Sequence, residues 1–265
     1  MSLITILFSL LAERYLGYPG ELRRFEWFRS WTDRAREWLP IEGPWQGTAA
    51  VLAVLAAPFV LAALLGAWLG EVWGLLGFLF SVGVLLYSFG PQDLEAQIEA
   101  FIDARERDDE ESAAWHAADM LGEWVPADTR ELTRAVMETA FVEAHERILG
   151  GIFWFLVLGP AGALLYRLAC LLSARFRNDE SEFGAAAYRL HQILAWVPVR
   201  LTAFGYALSG SFVDAMQYWR DEASKWRDLN RGTLVSAGFG ALRYEPAGED
   251  AVATGLEDIR TTLSL

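Results

Sequence analysis

The sequence predicts an all-α integral membrane protein, with a transmembrane helical hairpin, broken or re-entrant helices and cytoplasmic helical segments. Apolar residues make up 54% of the 265 residues, and charged residues make up only 22%. Two stretches, 48–69 and 72–89, contain no charged residue and are separated by Gly70 and Glu71 alone. Each approaches the roughly 20 residues that a helix needs to cross the hydrocarbon layer. A pair of buried helices in a soluble domain is the alternative, which the apolar residues on every face disfavour.

Residues 1–47 are predicted to hold an N-terminal membrane segment and an interfacial amphipathic helix. Residues 2–11 resemble a signal-peptide core, but they lack a preceding basic segment and a clean small-residue cleavage site. We therefore expect a retained, short or re-entrant membrane segment. From Glu21 to Leu39, aromatic residues fall on one helical face and charged residues on the other, as in a helix that lies in the headgroup layer. A soluble helix packed on a protein surface would show the same pattern.

The distribution of charge predicts which side of the membrane the polar segments occupy. Six arginines lie between the first apolar segment and the hairpin, at Arg14, Arg23, Arg24, Arg29, Arg34 and Arg36. The positive-inside rule places this loop in the cytoplasm, and the hairpin returns the chain to the same side. Residues 90–147 should then form a cytoplasmic helical insert. The insert is acidic, since residues 93–147 carry sixteen carboxylates and five arginines, and Asp128 is its predicted helix N-cap.

The apolar run 149–172 is not predicted to be a simple span, because Gly159-Pro160-Ala161-Gly162 interrupts it and Arg167 lies inside it. A single crossing would leave the arginines that follow on the outside, against the charge rule. A re-entrant pair of half-helices that breaks at Pro160 would keep them inside. The sequence leaves both arrangements open.

The chain is thereby divided into five predicted segments. A further apolar stretch, 193–208, is broken at Pro198 and carries Arg200, and the residues after it are polar. The segments are an N-terminal membrane and interfacial region (1–47), the transmembrane hairpin (48–89), the acidic insert (90–147), the membrane core (148–210) and the polar C-terminal region (211–265).

Charged side chains at membrane depth are the strongest candidates for a binding site, because an unpaired charge is costly there. Arg167 and Arg200 could each bind an anion, and snorkelling to the interface or pairing with a carboxylate such as Glu146 explains them equally well. Charged residues at the predicted membrane boundaries are further candidates. The ligand or anion-binding candidates are Glu13, Arg14, Glu143, His145, Glu146, Arg147, Arg167, Arg189 and Arg200.

Several classes of site and partner are not expected. His145-Glu146 lacks the second histidine of a zinc-protease helix, because position 149 is Leu, so no metal site is predicted. Lys225 is the only lysine and has no glycine-rich loop beside it, so a P-loop is excluded and we expect no cofactor. The net charge of −13 disfavours nucleic acid as a partner.

Two strings in the chain resemble the AmpE/CobD superfamily of bacterial inner-membrane proteins. They are Gly-Pro-Ala-Gly-Ala-Leu-Leu-Tyr-Arg-Leu at 159–168 and Trp-Val-Pro-Val-Arg-Leu-Thr-Ala at 196–203. Weaker similarity at 16–19 and 230–238 extends the resemblance over most of the chain. It implies a multi-pass protein of the bacterial inner membrane, with structural or cationic positions retained at Glu13, Pro19, Tyr166, Arg167, Arg189, Pro198 and Arg200.

The superfamily contains two classes, which differ in their acidic motifs. CobD is an adenosylcobinamide-phosphate synthase that joins an aminopropanol unit to a corrinoid carboxylate, and its motifs are rich in Asp and Asn. AmpE is a membrane protein encoded with a muropeptide amidase and implicated in regulating β-lactamase induction. At three synthase motif positions this chain has Tyr18, Cys170-Leu171-Leu172-Ser173 and His191-Gln192. Since nucleotide activation of a carboxylate needs acidic metal ligands, the resemblance favours AmpE.

The resemblance therefore implies a non-enzymatic regulator or scaffold, without catalytic residues, in cell-wall-recycling-linked regulation of β-lactamase induction. Its expected partners are the lipid bilayer, a membrane or cytosolic protein of the muropeptide amidase pathway, and a second copy of the chain. An AmpE-type protein is also expected to have a C-terminal apolar anchor, which residues 211–265 do not supply. The alternative is a membrane enzyme of the adenosylcobinamide-phosphate synthase type, in which Glu13, Glu143 and Glu146 replace the missing aspartates.

Overall fold

The computed structural model describes residues 2–16, 25–39, 44–90, 94–122 and 125–244, and every regular element in these ranges is helical. This confirms the all-α prediction. The helices are α1 (Ser2–Leu16), α2 (Glu26–Trp38), α3 (Pro44–Val72), α4 (Gly74–Ser88), α5 (Leu94–Glu106), α6 (Glu110–Leu121), α7 (Thr129–Ala144), a π-helical turn (His145–Leu149), α8 (Gly150–Arg175), α9 (Glu182–Ser209), α10 (Phe212–Glu222), a 3₁₀ turn (Ala223–Lys225) and α11 (Leu229–Leu242).

The chain folds into two compact units that alternate along the sequence. Unit 1 consists of Met1–Pro91 and Glu146–Pro198, and unit 2 consists of Gln92–His145 and Val199–Leu265. Each unit is therefore built from two separate stretches of chain. The five-segment division made from the sequence follows the order of the chain and stays a prediction.

The predicted hairpin is formed by α3 and α4 in unit 1, which pack against each other. Its turn differs from the prediction, because Gly70 and Glu71 continue α3 and the chain leaves the helix at Trp73, in an extended conformation. A Cβ atom on Gly77 would lie 2.8 Å from the Cα atom of Gly70. The absence of a side chain on Gly77 is what lets the two helices approach this closely beside the turn.

The run of helix that contains α8 reverses direction at Gly159. This residue has φ 69° and ψ −157°, a conformation that is not helical and that is almost confined to glycine. A Cβ atom on Gly162 would lie 2.3 Å from the carbonyl oxygen of Trp154, although residues eight apart in a straight helix are separated by about 12 Å. The predicted break is confirmed, and the chain folds back here into two half-helices, 150–158 and 160–175. How these half-helices lie in a membrane stays a prediction.

Two helical stretches of the described chain are long and apolar enough, by length and composition alone, to cross a membrane. The first is Trp45–Val72, which is almost all of α3. The second lies within Thr129–Arg175 and contains the reversal at Gly159, so its half-helices extend only about 14 Å and about 24 Å. Helix α4 has 15 residues, about 22 Å, and is shorter than the roughly 30 Å hydrocarbon layer.

Helix α2 packs on unit 1 through one face and leaves aromatic side chains exposed on another. Phe28 and Thr32 are buried, and the indole of Trp31 donates a hydrogen bond to the Val54 carbonyl oxygen at 3.0 Å. Trp27 and Trp38 are exposed. The amphipathic helix predicted for residues 21–39 therefore forms from Glu26 onward, and residues 21–24 lie outside the described residues.

In unit 2, close helix packing depends on small residues in α11. A Cβ atom on Gly238 would lie 2.5 Å from the ring of Phe141, and one on Gly240 would lie 2.6 Å from the Cα atom of Ala215. The first contact places α11 against α7 and the second places it against α10. Asp128 accepts hydrogen bonds from the first amides of α7 and is the N-cap that the sequence predicted.

Candidate active site

Arg167 is a buried cation in the second half of α8. Its exposed fraction is 7%, and its Nε atom has no hydrogen-bond partner. Among the described residues no carboxylate forms an ion pair with it, and the centroid of the Phe25 ring lies 5.9 Å from its Cζ atom. Such a cation–π contact contributes at most about 2 kcal/mol. Removing a guanidinium from water costs several kcal/mol, so the contacts of the described residues do not compensate this charge.

Phe25 is held in place by its backbone conformation and by an aromatic contact. It precedes α2 in the left-handed conformation (φ 51°, ψ 34°), which is rare for a bulky residue. Its ring centroid lies 4.4 Å from that of Tyr87 in α4. The strained backbone and the aromatic contact fix the surface on which the Arg167 guanidinium lies.

Tyr166 and His191 form the next layer of the site. Tyr166 is fully buried, and its ring centroid lies 6.0 Å from that of His191 in α9. Tyr166 is therefore the chain neighbour of the buried arginine and lies beside the histidine.

Glu146 belongs to the π-helical turn that precedes α8. Its Oε1 atom lies 3.8 Å from Nε2 of His191, and that nitrogen is buried without a hydrogen bond. π-Helical turns are rare and occur often at functional sites, because the extra residue redirects side chains. The carboxylate and the imidazole need to approach by less than about 1 Å to form a hydrogen bond, and catalytic pairs are often this long without substrate.

We call these five residues the Arg167 site: Phe25, Glu146, Tyr166, Arg167 and His191. All belong to unit 1. The arginine can bind an oxyanion, and the imidazole beside a carboxylate can accept and return a proton. Among the described residues no group of three or more His, Cys, Asp and Glu side chains is arranged to hold a metal ion.

A cavity of about 280 Å³ lies between α2 and the C-terminal part of α8. Phe25 lines it together with Phe28, Arg29, Thr32, Leu171, Leu172, Ala174 and Arg175. Arg175 is fixed at the cavity by Asp33, at 2.7 Å, and by the carbonyl oxygen of Arg29, at 3.0 Å. Phe25 therefore contacts the Arg167 guanidinium and also forms part of the cavity wall.

The other predicted residues of unit 1 lie outside this site. Arg189 is exposed and lies 3.7 Å from Glu182, and the methylenes of Arg147 pack on Gly90, where a Cβ atom would lie 2.5 Å from Arg147 Cγ. Glu13 is partly buried in α1 and has an interaction partner. The side chain of Arg14 lies outside the described residues.

Three predicted residues belong to unit 2. Arg200 donates a hydrogen bond to Asn230 Oδ1 at 3.2 Å, so this arginine has a neutral protein partner. His145 is buried, with Nδ1 2.9 Å from the Thr202 hydroxyl. Glu143 is partly buried and has an interaction partner. As binding residues these three, like those of unit 1, stay predictions.

Sequence reasoning did not place Phe25, Tyr166 or His191 in a binding site. Tyr166 and Arg167 are both in the string 159–168, so that string carried a usable signal for the tyrosine. His191 lies at a synthase motif position in the resemblance, which was a usable signal for the histidine. Nothing in the sequence joins Phe25 to the site, because its contact with Arg167 depends on the tertiary structure.

Comparison with known proteins places the chain in a family. Residues 6–258 match the model of the family described as CobD/Cbib protein. The chain belongs to the CobD/Cbib protein family. No solved structure matches it.

Curated members of the CobD/Cbib family resemble the chain over much of its length. A cobalamin biosynthesis protein CobD from Chromobacterium violaceum is 36% identical over 208 residues, covering 76% of this chain and 64% of the relative. One from Stutzerimonas stutzeri is 30% identical over 248 residues, covering 90% and 80%. One from Brucella suis biovar 1 is 25% identical over 279 residues, covering 94% and 82%. The chain thus spans slightly less than two thirds of the Chromobacterium protein.

The family relationship corrects the functional interpretation of the sequence. The prediction of a non-enzymatic regulator is wrong, because the CobD/Cbib relatives are named as cobalamin biosynthesis proteins, which points to an enzyme. The resemblance to the superfamily is supported for its CobD class. A relationship to AmpE and a role in β-lactamase regulation are not shown. The motif position 191 holds a histidine, and the fold brings the Glu146 carboxylate to 3.8 Å from it. The predicted partners stay predictions.

Proposed function

We propose that the protein is a membrane enzyme of cobalamin biosynthesis, of the adenosylcobinamide-phosphate synthase type. Membership of the CobD/Cbib family is the observation that carries this proposal. In the resemblance described above, that activity joins an aminopropanol unit to a corrinoid carboxylate through an amide bond. The Arg167 site offers chemistry that suits such a reaction, since it combines a buried cation with a carboxylate–imidazole pair.

The proposed reaction needs a carboxylate that has been activated by a nucleoside triphosphate as an acyl phosphate. The amine nitrogen attacks the acyl carbon, the C–N bond forms, and the bond between carbon and the phosphate oxygen breaks. Phosphate leaves with that electron pair, and a base accepts the proton that the amine loses. His191 is our candidate for the base, and Glu146, 3.8 Å away, would stabilise the imidazolium that results.

Other elements of the fold supply acidic groups in place of the carboxylates that the sequence lacks at synthase motif positions. His191 and Gln192 replace paired aspartates, and Glu146 on the π-helical turn supplies an acidic group to the same place. Glu13 and Glu143 are the other acidic candidates of this proposal. Neither is needed for the proton transfer assigned to Glu146 and His191.

We propose that the protein is a multi-pass protein of the bacterial inner membrane. Helix α3 is long and apolar enough to span the bilayer, and the arginines of α2 support a position of that helix at the cytoplasmic surface, by the positive-inside rule. The folded-back α8 has apolar half-helices too short to cross separately, as in a re-entrant segment. Corrinoid, aminopropanol phosphate and nucleotide would then reach the enzyme from the cytoplasm.

An amide-forming assay tests the proposed function. Membranes containing the full chain are incubated with adenosylcobyric acid, aminopropanol phosphate and a nucleoside triphosphate, and the product is identified by mass spectrometry. Membranes from cells that carry the empty vector are the control. Product above the control supports the proposal, and its absence under conditions in which an authentic CobD protein is active would refute it.

A further inference from the structure

We propose that the Arg167 site binds a phosphate or carboxylate oxyanion, with the Arg167 guanidinium as its counter-ion. This inference rests on the proposed function, in which both the aminopropanol phosphate and the corrinoid carry such groups. It identifies the part of the substrate that the buried arginine recognises. Nothing in the family comparison assigns this role to Arg167.

The first support is the missing counter-charge. Arg167 is 7% exposed, and its Nε atom makes no hydrogen bond. In the part of the chain that the structure describes, no Asp or Glu forms an ion pair with it. A charge buried in this way destabilises the protein unless a partner arrives, and an oxyanion is the partner whose geometry matches a guanidinium.

The second support is another buried nitrogen atom, on the imidazole that lies beside Tyr166. His191 Nε2 has no hydrogen bond in the described structure, and its ring lies beside Tyr166, the residue that precedes Arg167 in the chain. When protonated, His191 donates from both ring nitrogens. Arg167 Nε and His191 Nε2 are both buried without a hydrogen bond, on two residues that adjoin the same tyrosine, and this indicates a polar site that is completed by a ligand.

The third support is the space beside Phe25. The cavity of about 280 Å³ ends at the Phe25 ring, on which the Arg167 guanidinium lies. Its wall is largely apolar, and it contains Arg29 and Arg175 as further cations. A bulky anionic substrate could occupy this space while its oxyanion reaches Arg167.

Thermal unfolding of the full chain in detergent, followed by tryptophan fluorescence, tests the proposal without an activity assay. Sodium phosphate, sodium acetate and sodium chloride are compared at equal ionic strength. Phosphate or acetate should raise the unfolding midpoint of the wild type in a saturable way, on the order of 3 °C at ten times the dissociation constant. Sodium chloride should leave the unfolding midpoint unchanged.

The decisive variant is Arg167→Met, with Arg189→Met as a matched control on an exposed arginine. Arg167→Met should abolish the oxyanion-dependent rise, and without ligand it should unfold at the wild-type temperature or higher, because it removes an uncompensated charge. Arg189→Met should retain the rise. Arg167→Lys, which keeps the charge but not the planar fork, should keep a smaller rise.

The outcomes separate this inference from its alternatives. An equal rise in Arg167→Met, no rise in the wild type, or a variant that cannot fold because the arginine is structural would each overturn it. A rise with phosphatidylglycerol and none with phosphate or acetate would assign the site to a lipid headgroup and reject substrate recognition. If the protein makes the amide but its unfolding midpoint shows no Arg167-dependent rise, only the anion site is rejected. If the midpoint rises but no amide is made, only the proposed activity is rejected.

Discussion

The ring of Tyr166 occupies the space in which a side chain on Gly150 would lie, with Tyr166 Cε1 2.3 Å from the position of that Cβ atom. In a straight helix these two residues would be separated by about 24 Å. Their contact is therefore a direct consequence of the reversal at Gly159. It also fixes the position of the Tyr166 ring in the Arg167 site, where that ring lies beside His191.

Gly150→Ala should destabilise the protein by about 1–3 kcal/mol, because the added methyl group overlaps the Tyr166 ring. The change should appear as a lower thermal unfolding midpoint in detergent. Gly151→Ala is the matched control, since a Cβ atom there has no neighbour within 4 Å and alanine favours the helix. Equal midpoints for the two variants would contradict the folded-back packing of α8.

Gly159→Ala should cost about 1–3 kcal/mol for a different reason, namely backbone strain at the reversal. Its φ of 69° and ψ of −157° suit only glycine, although no atom crowds the position. Gly83→Ala in α4 also adds a methyl group into open space, at a helical position, and should be neutral. Urea titration of the purified variants in detergent measures the difference. A neutral Gly159→Ala would mean that the chain does not turn back at this residue.

Glu146→Gln and His191→Asn should each lower kcat for amide formation by about a hundredfold or more, with smaller effects on KM. The reason is that each variant removes one partner of the proposed proton-transfer pair. His116→Asn, in α6 of unit 2, is the control histidine and should leave kcat unchanged. If His191→Asn retained wild-type kcat across the pH range, His191 could not be the base.

Stability at low pH should depend on Asp179, in the loop between α8 and α9. The Ser181 backbone amide, at 2.9 Å, is the main group that lowers the pKa of this carboxyl, and Arg36, at 3.3 Å, lowers it further. Because the folded-state pKa lies below the unfolded value of about 3.9, the stabilisation is complete above that value. It is lost as the pH falls through the folded-state pKa.

Asp179→Asn should therefore lower the unfolding midpoint near neutral pH and flatten its dependence on pH below about 4. The midpoints of wild type and variant are compared between neutral pH and the acid limit of solubility. Asp221→Asn changes an exposed carboxylate that pairs only with its neighbour Arg220, and it should keep the wild-type profile. Parallel profiles for wild type and Asp179→Asn would show that the Ser181 and Arg36 contacts contribute nothing.

Local patterns in the sequence predicted several elements correctly because the physics behind them is local. The charge-free stretches predicted the hairpin, and the position of Asp128 before a helical pattern predicted its role as an N-cap. The break at Gly159-Pro160 was visible for the same reason. The turn between α3 and α4 was misplaced at Gly70 and Glu71, since a glycine followed by a charged residue resembles a turn, whereas α3 continues through both residues to Val72.

Functional class was misjudged because the chain was compared with the synthases at single motif positions. A neutral residue at a motif position removes an acidic group from that position only. Glu146 lies 45 residues before His191 in the chain, and its 3.8 Å distance exists only after α8 and α9 have packed. Similarity over residues 6–258 is insensitive to such exchanges, and it identified the family.

Composition and periodicity by themselves determined that the protein is helical and where its apolar hairpin and its break lie, because burial of apolar surface and backbone conformation depend on neighbouring residues. They also singled out Arg167, since a lone charge within an apolar run is visible without coordinates. Only the tertiary structure decided that this charge has no carboxylate partner among the described residues, that it lies over Phe25, and that His191 lies beside both Tyr166 and Glu146. Those relationships join residues far apart in the chain, and the packing of α2, α8 and α9 brings them together.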